Sequence, residues 1–113
     1  EFYNLTNLEE LFLDITYIPE SLLLHIGALS SLKILSLNRC KLSGTLPDDG
    51  WCELGKLEQL YLSKNELVGI LPPCMRNLTS LLVMDLSSNQ LTGNIASSPL
   101  VHLISLQYLS FFK

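Results

Sequence analysis

Leu54-Gly55-Lys56-Leu57-Glu58-Gln59-Leu60-Tyr61-Leu62-Ser63-Lys64-Asn65-Glu66-Leu67-Val68-Gly69-Ile70-Leu71-Pro72 contains one complete statement of a pattern that runs through the whole chain. Its leucines fall at 54, 57, 60 and 62, spaced three, three and two. Outward from it the same spacing recurs at Leu29, Leu32, Leu35 and Leu37, and at Leu5, Leu8, Leu11 and Leu13. On the other side come Leu78, Leu81, Met84 and Leu86, then Leu103, Leu106, Leu109 and Phe111. The frame starts lie alternately 24 and 25 residues apart. A fixed period of this size marks stacked structural repeats. It also explains why 28 of the 113 residues are leucine.

In each unit the final L-x-L step has period two, so its side chains share one side of a short strand. One unit cannot bury that side alone. Stacked units bury a continuous leucine core, and their strands form a parallel sheet. The units run about 5–28, 29–53, 54–77 and 78–102, with a partial one at 103–113.

Three residues past the L-x-L leucine stand Asn65 and Asn89, with Thr16 and Cys40 at the same point of the first two units. An amide there can donate to and accept from backbone groups that would otherwise be buried unpaired. A hydroxyl or thiol is a poorer substitute. The second half of each unit is patterned too: Leu42-Ser43-Gly44-Thr45-Leu46-Pro47, Leu67 to Pro72, and Leu91-Thr92-Gly93-Asn94-Ile95-Ala96. Glycine permits tight turns or close approach, and proline ends the segment. The first unit departs, with an early Pro19 and no glycine at this point.

Composition excludes several function classes. Apolar residues make up 48% and charged residues 16%, which is not a disordered composition. The net charge of -4 and the lack of a basic run argue against nucleic acid or an anionic membrane surface as partner. No apolar stretch reaches the length of a membrane helix, since His25 and Gly27 break the Leu22–Leu29 cluster. The chain opens on Glu1 and reads as a processed piece or fragment. Glu1-Phe2-Tyr3 reads as the tail of an earlier unit, and Phe111-Phe112-Lys113 as stopping inside a strand. Without polar caps over the core, these residues alone are expected to be marginally stable and to self-associate.

No catalytic constellation is visible. His25 and His102 lack nearby nucleophiles or carboxylate partners, and Asp48-Asp49-Gly50 reads as a turn. There is no phosphate loop, dinucleotide fingerprint or nucleophile elbow. The cysteine spacings fit no zinc site, and neither metal nor cofactor is expected. Cys52 and Cys74 lie in the return segments of consecutive units, offset by two residues from a full period. A disulfide between them is geometrically feasible; two free thiols packed as small hydrophobes are the alternative. Cys40 reads as a buried free thiol.

A binding surface is the remaining candidate. Around the inward leucines, stacking creates outward columns: Glu10, Ile34, Gln59, Val83, Tyr108, and Phe12, Ser36, Tyr61, Asp85, Ser110. With Asp14, Arg39 and Lys64 they form a mixed aromatic and charged face of the kind that binds peptides or proteins. Asn4-Leu5-Thr6 and Asn77-Leu78-Thr79 are N-glycosylation sequons, each just before the first leucine of a unit. Glycans there would leave the strand face open.

The pattern L-x-x-L-x-x-L-x-L-x-x-N-x-L-x-G-x-L/I-P resembles the plant-specific leucine-rich repeat. Leu54–Pro72 and Leu78–Ile95 fit it closely, Leu29–Pro47 fits apart from Cys40, and Leu5–Ala28 is degenerate. The Trp51-Cys52-Glu53-Leu54 and Pro72-Pro73-Cys74-Met75 stretches resemble extracellular segments of plant receptor-like proteins. The resemblance implies a solenoid with short parallel strands on its concave face and loops and short helical turns on its convex face. It implies ligand perception outside the cell, possible roles in defence, a peptide or protein ligand, a co-receptor kinase, and membrane attachment only through a segment absent from this chain. The same repeat occurs in receptor kinases and in secreted inhibitors of polygalacturonases, which are the alternatives, along with a purely structural spacer.

Overall fold

In a computed structural model, residues 5–19, 21–94 and 97–111 are described. The chain winds as a solenoid, one turn per leucine unit. Five short strands, β1 (Glu10–Phe12), β2 (Ile34–Ser36), β4 (Gln59–Tyr61), β6 (Val83–Asp85) and β8 (Tyr108–Ser110), form a parallel sheet in the order β1-β2-β4-β6-β8. Register follows the period: Glu10 pairs with Ile34, Ile34 with Gln59, Gln59 with Val83 and Val83 with Tyr108. Side chains of equal rank in the repeat therefore stand side by side.

The middle leucine of each strand points into the core. Leu35 and Leu60 are fully buried, as are Met84 and the frame leucines Leu29, Leu32, Leu54, Leu57, Leu78 and Leu81. The substitution of Met84 for leucine is absorbed because methionine is flexible and of similar volume. Trp51 is also buried, and its indole N–H donates to the Pro47 carbonyl at 2.8 Å, so its polar end is paired.

Beyond the concave strands the chain turns through a left-handed residue at the same place in each of the first four units. Ile15, Arg39, Lys64 and Ser88 have φ of 61°, 57°, 58° and 58°. Such a conformation costs a side chain roughly 1–2 kcal/mol. The turn is imposed by the solenoid path and not by the local residue, since four different side chains adopt it.

A second sheet was not part of the expectation. β3 (Ser43–Gly44), β5 (Glu66–Gly69) and β7 (Gln90–Leu91) pair in parallel on the way out to the convex side. These strands hold two to four residues, too short to show an alternating pattern in the sequence. Gly69 shows why glycine serves here: its φ is 79°, and a Cβ would lie 2.8 Å from the Thr45 methyl on the preceding turn.

The convex side carries short helical turns, as the repeat resemblance implied. They comprise α1 (Ser21–His25) with a 3₁₀ turn at Ile26–Ala28, then 3₁₀ turns at Gly50–Glu53, Pro73–Asn77 and Pro99–His102. Gly50, at φ 61°, packs so closely on α1 that a Cβ would come within 2.5 Å of the Leu24 carbonyl oxygen. Among the described residues no helix is long and apolar enough to cross a membrane.

Candidate functional site

The concave sheet presents the two outward columns beside each other. In the first, Glu10 and Tyr108 are exposed, and Ile34, Gln59 and Val83 are partly buried between them. In the second, Phe12 is 57% exposed, Tyr61 and Asp85 are partly buried, and Ser36 is buried. Arg39 and Lys64 are exposed just past the strands, at the left-handed turn. Their backbone N–H groups donate to the Ser63 and Ser87 carbonyls of the next turn, so the two side chains are held one coil apart.

Some of these side chains are engaged with each other. The Tyr61 hydroxyl donates to Gln59 Oε1 at 2.7 Å, which fixes the ring of Tyr61 over its own strand. Asp14 Oδ1 accepts from the Ser36 hydroxyl at 2.7 Å and from the Asn38 N–H at 2.9 Å. Asn38 Oδ1 in turn accepts from the Ser63 N–H at 2.7 Å and its hydroxyl at 2.9 Å. Asp85 Oδ1 accepts from the Ser87 N–H and hydroxyl at 3.0 and 2.7 Å.

Sequence reading missed this seam of Asp14, Ser36, Asn38 and Ser63, which Ser87 continues in rank while bonding Asp85 of its own turn. A signal was present: the positions 14, 38, 63 and 87 share one rank in the repeat and hold only Asp, Asn, Ser and Ser. Short polar side chains in one column are what a coil-to-coil hydrogen-bond seam needs. One carboxylate oxygen of Asp14 and one of Asp85 thus serve the scaffold, leaving Phe12, Tyr61, Tyr108, Glu10, Arg39 and Lys64 as the more available groups.

Deeper in, Asn65 and Asn89 stitch the coils. Asn65 Oδ1 accepts from the N–H groups of Cys40 and Leu42 at 2.9 and 3.0 Å. Its Nδ2 donates to the carbonyls of Leu37, Leu62 and Ser63. Asn89 accepts from Leu67 N–H and donates to Leu62, Leu86 and Ser87 carbonyls. Both are buried, and no buried side-chain nitrogen or oxygen among the described residues lacks a partner.

Cys40, fully buried, offers no amide oxygen: its thiol lies 3.0 Å from the Leu13 carbonyl, and its sulfur is a weak acceptor for the nearby Thr16 and Ile15 backbone N–H groups. Burial pushes its pKa above the 9.0 of a free thiol. Thr16 does not join the ladder. It is exposed, and its hydroxyl makes a local 3.4 Å contact to the Asp14 carbonyl. The side chain is too short to span to another coil, and no described coil lies on its far side.

Cys52 and Cys74 form a disulfide, with Cα atoms 5.8 Å apart. The two-residue offset is taken up by the 3₁₀ turns that carry them, and Asp48 Oδ1 holds the Cys74 N–H at 2.9 Å. Asn77 ends its 3₁₀ turn with an exposed side chain; Asn4 lies outside the described residues. A cleft of about 340 Å³ lies away from the concave columns, between Ile70, Leu91, Leu100 and Phe111.

Comparison with known proteins agrees with this architecture. A family model described as Leucine Rich Repeat matches residues 31–52, 56–78 and 80–100, more than half of the chain. The chain is 46% identical over 91 residues to Cuscuta receptor 1 of Solanum lycopersicum, covering 80% of this chain and 8% of that protein. It is similar in structure to the ectodomain of the Arabidopsis thaliana membrane receptor kinase GASSHO1/SCHENGEN3, solved in complex with CASPARIAN STRIP INTEGRITY FACTOR 2. There the TM-score is 0.80 at 32% identity, over 99% of this chain and 14% of that one. A further likeness is to the Arabidopsis receptor kinase HAESA in complex with the peptide hormone IDA and the co-receptor SERK1. Its TM-score is 0.76 at 27% identity, over 99% of this chain and 19% of that one. The chain thus spans less than a fifth of the length of each.

Proposed function

Since the chain belongs to the leucine-rich repeat family, we propose that it forms part of the extracellular ligand-recognising face of a plant cell-surface receptor-like protein. The observation that carries this reading is the in-register concave sheet. Five parallel strands at ~4.8 Å spacing make a face roughly 20 Å across, enough for a short extended peptide. Across it run aromatic, aliphatic and charged side chains whose positions are fixed by the period.

Recognition on such a face needs no chemistry. Tyr61, anchored by Gln59, and the exposed Phe12 and Tyr108 offer large rigid contact area at low entropic cost. Arg39, Lys64 and Glu10 at the borders would orient a partner by charge. The disulfide between Cys52 and Cys74 supports an oxidising, extracellular setting. The relatives compared are receptors, one of them assembled with a co-receptor, which favours a co-receptor kinase as partner over an inhibitor's hydrolase target. We assign the segment a binding role and no catalytic one.

The test places an obstacle on the sheet. Gln59→Asn with Tyr61→Thr creates a glycan acceptor in the middle of β4. Full-length wild-type and doubly substituted proteins, secreted from plant cells, would be panned against a phage library of random short peptides. The reading expects peptides enriched on the wild type to lose at least tenfold in capture by the glycosylated variant. Equal capture by a secreted, disulfide-intact variant would place binding elsewhere and favour a spacer role.

A further inference from the structure

We propose that the border of the concave sheet at Arg39, Lys41 and Lys64 recognises acidic side chains, and that its ligand is an extended peptide segment bearing Asp or Glu at alternate positions. This rests on the concave-face reading above and gives that face the chemistry of its ligand.

Stacking brings the cations together. Arg39 and Lys64 hold the same rank in consecutive turns, both with left-handed backbone, at φ 57° and 58°. The Arg39 N–H donates to the Ser63 carbonyl at 3.0 Å, so residue 39 lies against the residue just before Lys64. Lys41, two residues past Arg39, is left-handed as well, at φ 57°. The residues of its rank in the next two turns, Glu66 and Gln90, open β5 and β7 instead. Lys41 therefore stands outside the second sheet, at the same border as Arg39. All three residues are exposed. They are three of the seven Lys and Arg in a chain of net charge -4.

These cations have no acid of their own. Among the described residues the one ion pair joins Lys33 to Glu9 at 3.9 Å, on the opposite border of the sheet. Asp14, on the adjoining turn of the cationic border, gives Oδ1 to Ser36 and Asn38. Like charges one coil apart repel each other, and an anion placed between them is attracted to both. The opposite border is acidic, with Glu9, Glu10 and Glu58 against the single cation Lys33. Tyr61 lies between the two borders, three residues before Lys64, so a partner lying on its ring reaches the cations.

The split of charge selects the kind of ligand. A polymer with a carboxylate on every unit would meet Glu10, Glu58 and Asp85 as well as the cations. An extended peptide sends alternate side chains to opposite sides. It can hold acids over Arg39, Lys41 and Lys64 while turning other groups toward Glu10. Two carboxylates at alternate positions start about 7 Å apart, a match for cations on neighbouring coils.

The experiment pans a phage library of random short peptides on full-length proteins secreted from plant cells. The peptides are joined to the phage through their C-termini, so every carboxylate they offer is a side chain's. Wild type is compared with Arg39→Glu plus Lys64→Glu, and with Lys56→Glu plus Arg76→Glu, which makes the same charge change at exposed residues off the concave face. The β4 glycan variant, Gln59→Asn with Tyr61→Thr, completes the set. Wild type is expected to enrich peptides with Asp or Glu at alternate positions. The reversed border should capture these about tenfold less and enrich Lys and Arg peptides in its own panning. Arg39 and Lys64 are exposed and bond the next coil only through backbone groups, so their reversal leaves the fold in place. An equal loss in the Lys56 and Arg76 variant would trace the effect to net charge and overturn the assignment. Peptides blocked by the β4 glycan yet indifferent to the reversal would overturn it and leave the concave face as the binding surface. Peptides indifferent to the glycan as well would overturn both readings. Retention of wild type, and not of the reversed variant, on immobilised polygalacturonate, with no acidic peptide enriched, would assign the border to an anionic polysaccharide and overturn the peptide ligand.

Discussion

The turn from Leu54 to Asn77 and the turn from Leu5 to Ala28 are built on the same leucine spacing, yet they are packed very differently. In the former, Leu54, Leu57, Leu60 and Leu62 are at most 1% exposed. In the latter, Leu5 is 46% exposed and Leu8, Leu11 and Leu13 are only partly buried against the core. Asn65 makes five hydrogen bonds, three of them to the preceding turn, whereas the Thr16 hydroxyl makes one local contact. The spacing sets the path of the backbone, but neighbours on both sides and a two-way hydrogen-bonding side chain set how firmly that path is held. In a solenoid these are nearest-neighbour quantities, so they are measurable turn by turn by amide hydrogen exchange in the full-length protein.

The sharpest contrast is expected between Asn65→Ala and Thr16→Ala. The first strips partners from the buried N–H groups of Cys40 and Leu42 and the carbonyl of Leu37. Several orphaned backbone groups together should cost about 4 kcal/mol of local stability. The second removes an exposed hydroxyl and should cost less than about 0.5 kcal/mol. Equal losses would show that the ladder is incidental and that leucine packing alone holds the turns.

Next comes the covalent staple, which the first turn lacks. Cys52 and Cys74 close a loop with a sequence separation of 22 residues. By chain entropy its removal in a Cys52→Ser, Cys74→Ser variant should cost about 3 kcal/mol. Exchange should speed up in residues 50–77 and stay unchanged around β1. A uniform loss along the array would mean that the disulfide acts on the whole unfolded chain and not on the local convex layer.

Core truncation should separate the turns by a smaller margin. Leu60→Ala opens a cavity in a fully enclosed site, at about 3 kcal/mol. Leu11→Ala, at a half-covered site, should cost about 1 kcal/mol, because solvent and partial collapse relieve the void. If the two costs coincide, the lower burial of the first strand does not report its packing.

These contrasts also mark what the sequence disclosed. The strand register was legible because a period of 24 and 25 residues leaves one way to stack the leucines, and Glu10, Ile34, Gln59, Val83 and Tyr108 do share one row. The second sheet was not legible, since Ser43–Gly44 and Gln90–Leu91 are two-residue strands whose pairing arises from stacking and not from propensity. At the candidate face, the columns follow from the period, but the split between scaffold and free side chains does not. Asp14 and Asp85 look like ligand-ready carboxylates in isolation. Only the neighbouring Ser36, Asn38 and Ser87 show that each gives an oxygen to the fold.

The smallest expected effect tests whether the first turn can be made to resemble the third. Cys40 sits at the ladder rank with a donor to Leu13 and no amide oxygen to offer. The backbone compensates poorly: the Ile18 N–H reaches the Cys40 carbonyl at 3.4 Å, where the equivalent Leu42 N–H meets Asn65 Oδ1 at 3.0 Å. Cys40→Asn should keep the bond to the Leu13 carbonyl, give the Thr16 N–H an amide oxygen in place of a weak sulfur acceptor, and add acceptance from the Ile18 N–H, a gain of about 1 kcal/mol. A pH series supplies an independent signature. The buried thiol has a raised pKa, so its contribution is fully present below 9.0, where the unfolded thiol ionises, and is lost as pH climbs through the folded value. An asparagine does not titrate, so the variant's first turn should keep its exchange protection through that alkaline range while the wild type loses it. Protection that falls in both with the same profile would mean that β1 is limited by its one-sided packing and not by the missing amide.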